Sequence, residues 1–68
     1  MNAPARGTCW RHRERGTVYV VEAIATGQGD GIEGAAVVVY VGADLRRWCR
    51  RLDEFLARFA KVSPEESP

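Results

Sequence analysis

Cys9 and His12 stand three residues apart, a spacing seen in metal sites and in thiol–imidazole pairs, and Cys49 adds a second thiol. A structural zinc site needs four ligands, and no second close pair follows. On a strand, residues 9 and 12 also fall on opposite faces, because side chains alternate. That separation disfavours a shared metal and an activated cysteine alike, and nothing nearby orients the imidazole. The expectation is therefore a non-enzymatic chain with no metal, no cofactor and no catalytic residue. A Cys9–Cys49 disulfide is geometrically open only where the first and last strands pair; in a cytoplasmic chain both thiols stay reduced, and each is expected to be half-buried.

The glycine-rich stretch Gly27-Gln28-Gly29-Asp30-Gly31 invites a phosphate-loop reading. It lacks the lysine and the Ser or Thr of that motif, and a strand rather than a helix follows it. Asp30 and Glu33 would repel phosphate, and the spacing of a calcium-binding loop is absent. A hairpin loop is the expected structure.

Two charged sets remain, and they point to different partners. Arg11, Arg13, Arg47 and Arg51 with Trp10, Tyr19, Tyr40 and Trp48 have the composition of a single-stranded nucleic-acid surface, where cations track phosphate and rings stack on bases. They form one patch only if the first and fourth strands are neighbours. Glu22, Asp30, Glu33 and Asp44 span residues 17–45 with no cation among them. An acidic face of this kind suits a protein partner with a groove built for nucleic acid. Small phage-encoded inhibitors of host nucleic-acid machinery or defence, of the anti-CRISPR type, are the model for such a role. The competing explanation for the acids is a solvated face. A net charge of +1 and a pI near 7.8 argue against an obligate nucleic-acid binder, whose domain pI usually exceeds about 9.

These residues must be positioned by a small structure. Sixty-eight residues, 46% apolar and 28% charged, make one globular domain with a thin core. No apolar run reaches the roughly 18 residues of a spanning helix, and no stretch near Met1 resembles a signal peptide, so a cytoplasmic domain without membrane contact is expected. Charge runs in blocks: +3 over residues 1–16, −4 over 17–45, +4 from Arg46 to Arg51 and −2 thereafter.

Residues 1–7 and the acidic, proline-bearing residues 63–68 are expected to be loose tails around a domain at 8–62. Thr8 to Arg13 predicts a first strand and Glu14-Arg15-Gly16 a turn. Thr17 to Thr26 predicts a second strand, with Val18, Val20, Glu22 and Ile24 on one face and Tyr19, Val21, Ala23 and Ala25 on the other. Both faces are mostly apolar, which predicts cover on both sides or closure into a barrel. Ala35 to Val41 predicts a third strand. Leu45 to Arg51 predicts a fourth, with Trp48 facing one way and Arg47 and Cys49 the other. Leu52, Phe55, Leu56 and Phe59 have helical spacing, with Asp53 as N-cap and Ser63-Pro64 as the stop. Four strands and a terminal helix suit a small SH3-like half-barrel whose open end the helix closes.

Trp10-Arg11-His12, Gly16 and Val18-Tyr19 resemble the opening of a family of small bacterial and phage proteins catalogued as domain of unknown function 1653. Val38-Val39-Tyr40 resembles that family's central strand. Trp48-Cys49-Arg50 with Leu52 and Phe55 resembles its closing Trp-x-Arg-Pro-Leu-x-x-Phe. The resemblance covers about residues 9–57. Arg51 stands where the family has proline, the step from His12 to Tyr19 is one residue longer, and the middle loop is richer in glycine. It implies a compact β domain from a bacterium or phage, and no particular activity. The sequence thus predicts a mainly β binding module that engages a protein partner, with nucleic-acid binding as the alternative and a metal-dependent enzyme last.

Overall fold

The computed structural model describes residues 4–63. Its elements are β1 (Cys9–His12), β2 (Val18–Thr26), β3 (Ala36–Val41), β4 (Arg47–Arg51), the helix α1 (Leu52–Arg58) and β5 (Phe59–Lys61). The chain is mainly β. The strands form one open antiparallel sheet in the order β4-β3-β2-β1-β5.

That order corrects the expected neighbours. β1 and β4 are separated by two strands, roughly 14 Å at about 4.8 Å per step, so a Cys9–Cys49 bridge is out of reach. Both thiols are free, Cys9 half-buried and Cys49 exposed. The strand beside β1 is instead β5, which the helical spacing hid. Phe59 N–H closes the last helical bond on Phe55 O, and Phe59 itself is extended at φ −122° and ψ 148°. The chain then pairs Phe59 with His12 and Lys61 with Trp10. A two-turn helix is too short to hold itself and takes its stability from packing. Turning extended at Phe59 keeps that ring in the core while covering the open edge of β1. Asp53 is not the N-cap: Arg51 holds that position without a side-chain cap bond, and Asp53 and Glu54 lie in the first turn. There their charge complements the helix dipole.

The second correction concerns the faces of β2. Val21 pairs with Tyr40 and Ala23 with Val39, so Glu22 is an extra, bulged residue. A one-residue slip moves every following side chain to the other face. Tyr19 and Val21 before the bulge therefore share a face with Ile24 after it, the face of Val38 and Tyr40. Val18, Val20, Ala23 and Ala25 share the opposite face with Val39 and Val41. This outer face is open, with Val18 and Val20 both exposed. Neither double cover nor a closed barrel was needed to accommodate so apolar a strand.

The core lies on the inner face, where Trp10, Val21, Val38, Tyr40, Phe55 and Phe59 are buried together. The helix packs Leu52, Phe55 and Leu56 onto that face. Phe55 stacks on Phe59 at 4.3 Å between centroids and meets Trp10 edge-on at 5.3 Å. Residues 4–7, assigned above to the tail, are tied to the sheet: Pro4 is buried and Gly7 N–H donates to Val21 O. Residues 1–3 and the acidic segment after Ser63 lie outside the described residues.

Candidate functional site

The part of the inner face that α1 leaves uncovered carries the densest chemistry among the described residues. Side-chain alternation aims His12 of β1, Tyr19 of β2, Tyr40 of β3, Trp48 and Arg50 of β4 and Phe59 of β5 to the same side. The register sets them side by side, Trp48 opposite Tyr40 and Phe59 opposite His12. With Arg15 from the β1–β2 turn they enclose a cavity of about 170 Å³. At about 30 Å³ per water this has room for five or six waters.

Each polar member is held by a specific bond. His12 is 95% buried, being 5% exposed. Its Nδ1 accepts the backbone N–H of Glu14 at 3.3 Å and of Arg15 at 3.2 Å. An Nδ1 that accepts leaves the ring proton on Nε2. Phe59 meets the imidazole edge-on at 5.0 Å and fixes its plane. Arg50 donates Nε to Tyr40 OH at 3.0 Å and Nη1 to Glu54 at 2.8 Å, and its guanidinium lies 5.9 Å from the Phe59 ring centre. Burial lowers the pKa of Arg50, but its bonds to Tyr40 and Glu54 more than offset this, so it stands above the usual arginine value. Thr17 donates to Tyr19 OH at 3.2 Å, and Tyr19 meets Tyr40 edge-on at 5.3 Å.

Trp48 and Tyr19 also wall a second, shallower groove of about 320 Å³, completed by Thr17, Val18, Gly42 and Asp44. Trp48 is 45% exposed there. The adjoining β3–β4 turn holds Leu45 at φ 66° and 78% exposed. A left-handed backbone disfavours a branched side chain, and exposure wastes its apolar surface. Leu45 violates both preferences.

The residues singled out by sequence are dispersed. Arg47 points to the outer face, where its Nε donates to Glu22 at 2.7 Å. That carboxylate raises the Arg47 pKa further above its usual value. Arg51, on the same face, donates to Gly31 O at 2.9 Å and lies 3.4 Å from Asp53. Arg11 lies on β1 and Arg13 just beyond it, so neither meets the β4 arginines. Trp10 is buried in the core with Nε1 donating to Thr8 at 3.0 Å. Of the acids, Glu22 sits at the bulge, Asp30 and Glu33 in the β2–β3 loop, and Asp44 in the β3–β4 turn, where it pairs with Arg46 at 3.8 Å. The loop and the turn follow opposite ends of β3, so the four do not converge. Among the described residues, no three His, Cys, Asp or Glu side chains converge as a metal site would require, and no helix is long and apolar enough to cross a membrane.

Arg15, Arg50 and Leu45 are absent from the site residues that sequence reading singled out; Tyr19 and Tyr40 were read there only as part of a nucleic-acid surface, and His12 only as a metal ligand or the partner of a thiol. The parity of residues 10, 12, 48 and 50 within their strands is a usable signal, but only once the register is known. No family model, no curated protein and no solved structure matches this chain.

Proposed function

We infer that the chain is a non-enzymatic binding module that engages a protein partner through the Trp48 end of its sheet. The observation that carries this reading is the exposed Trp48 and Val18 that line the 320 Å³ groove, with Leu45 exposed in the turn whose Gly42, Ala43 and Asp44 complete it. Aromatic anchors beside apolar pockets are what dominate protein interfaces energetically. Leu45 supports it independently, since strained backbone concentrates where function requires it.

Nucleic-acid tracking needs a continuous basic stripe. Here Arg46, Arg47, Arg50 and Arg51 each hold a carboxylate on the chain itself. The protein reading is therefore the stronger. We also take the fold as an SH3-like half-barrel. The meander β1 to β4, the short helix before β5, and the bulge that bends β2 support that assignment. Two unpaired thiols support a reducing, cytoplasmic compartment.

The test is affinity capture from the source cell with nuclease-treated and untreated extract, using the wild-type chain, Trp48→Ala and Leu45→Ser. A protein retained by the wild-type chain after nuclease, and lost by both variants, is the expected result. Capture abolished by nuclease, or unchanged in both variants, would refute the reading.

A further inference from the structure

The 170 Å³ cavity is lined by hydrogen-bond donors of one kind after another, and that uniformity has a chemical meaning. Among the described residues, no buried side-chain nitrogen or oxygen lacks a partner. His12 Nε2 makes no bond among them, so it is not sealed in the core and opens to the cavity it lines. It carries the ring proton and must donate. Arg15 lines the same cavity and forms no ion pair among the described residues. Arg50 uses Nε and Nη1 in the bonds above, and neither uses Nη2. The Tyr19 and Tyr40 hydroxyls each accept one bond and keep a proton of their own to give. No carboxylate is among the lining residues.

A pocket with five donor groups, one cation in Arg15 without an ion pair among the described residues, a second in Arg50 that it shares with Glu54, and no carboxylate in its lining is complementary to an acceptor-only anion. We propose that this cavity binds a phosphate monoester, the phosphoryl group on His12 Nε2, Arg15 and Arg50 and the organic group against the Trp48 ring. A phosphate monoester brings three acceptor oxygens and a charge of about −1.5 to −2 at neutral pH. A carboxylate brings only two oxygens and would leave more of the five donors unmatched. The cavity is smaller than the roughly 300–1,000 Å³ of sites that enclose a whole ligand. It therefore takes one group and leaves the remainder outside, where Trp48 stands exposed. The positions of the donors are set by structure that exists without ligand: two backbone bonds on His12, and Tyr40 and Glu54 on Arg50. The phosphoryl contacts stand on the cavity alone, whereas the Trp48 ring is shared with the outer groove.

The experiment titrates phenyl phosphate, inorganic phosphate and benzoate into the full chain, read by NMR of the His12 ring and by Trp48 fluorescence. Phenyl phosphate is expected to bind at one saturable site with Kd at or below about 1 mM, ahead of inorganic phosphate and well ahead of benzoate. Arg15→Gln is expected to weaken it about tenfold or more, as loss of a charged hydrogen bond does. Arg15 is exposed in a turn, so its variant keeps the fold, checked by an unchanged thermal transition. Arg47→Gln, on the opposite face, is expected to change affinity less than twofold. Absence of saturation by about 10 mM, benzoate binding as tightly as phenyl phosphate, or equal loss in the Arg15 and Arg47 variants each overturns the site. Inorganic phosphate matching phenyl phosphate overturns the contact with Trp48.

Discussion

Phe59 joins the helix, the returning strand and the core, so its truncation is the sharpest test of how this fold is held. The ring is 1% exposed. It stacks on Phe55 at 4.3 Å and meets Tyr40 at 5.2 Å, His12 at 5.0 Å and Tyr19 at 5.6 Å. Burying a phenyl side chain contributes about 3 kcal/mol, and each aromatic pair adds about 0.5–1.5 kcal/mol, though pairs sharing one ring do not sum. With the cavity left behind, Phe59→Ala should cost about 3–5 kcal/mol. A chain of 68 residues has roughly 3–10 kcal/mol in total, at about 0.05–0.15 kcal/mol per residue, so the variant sits at or near the unfolding threshold. Phe59→Leu keeps most of the apolar burial and loses the ring contacts and the Arg50 cation over the ring, a loss of about 1–2 kcal/mol.

The assay is urea unfolding followed by the fluorescence of buried Trp10 and by circular dichroism. With a denaturant slope of about 1 kcal/mol per molar, the leucine variant should shift its midpoint by about 1–2 M and the alanine variant should lose its native baseline. A cost below about 1 kcal/mol for alanine, or equal costs for alanine and leucine, would show that the stacked rings do not hold the core. Truncation after Arg51 removes α1 and β5 together, and should abolish the cooperative transition altogether.

Two backbone positions give further checks. A Cβ at Gly27 would fall on Ile32 O and within 2.9 Å of Ile32 Cβ, so Gly27→Ala should destabilise by about 1–3 kcal/mol in the same unfolding assay. Leu45→Gly should instead leave the fold equally stable or stabilise it by up to about 1 kcal/mol, because it relieves φ 66°, while weakening partner capture. A destabilised Leu45→Gly would mean that the leucine packs on the chain itself.

The first four strands were legible, β2 and β3 most clearly, because β-branched and aromatic runs beside glycine leave few alternatives. Trp48 on one face and Arg47 and Cys49 on the other follow from period two alone. The site was not legible, for a specific reason. It depends on which strands are neighbours, and one bulge at Glu22 exchanges the faces of β2 without leaving a mark in composition. Leu52, Phe55, Leu56 and Phe59 satisfy helical spacing to the last residue, yet Phe59 is extended, because β1 offers its backbone a partner that no local pattern reveals. His12 was weighed as a metal ligand for its chemistry, whereas its place in the site comes from the backbone turn that its Nδ1 organises.

Strand order also gives the arginine block a use that needs no ligand. β4 and β5 are the two borders of the sheet, and each leaves a row of backbone groups free to accept another chain. The β5 border is three residues long and ends in Lys61. The β4 border is longer, and it carries Arg47, Arg50 and Arg51, with Arg46 just before it. Two copies meeting border to border along β4 would have to crowd or break the ion pairs these long side chains make with Asp44, Glu22, Glu54 and Asp53. A cluster that invites comparison with a nucleic-acid footprint thus keeps neighbouring molecules from continuing one another's sheet, and an apolar strand at that border would favour assembly into ribbons.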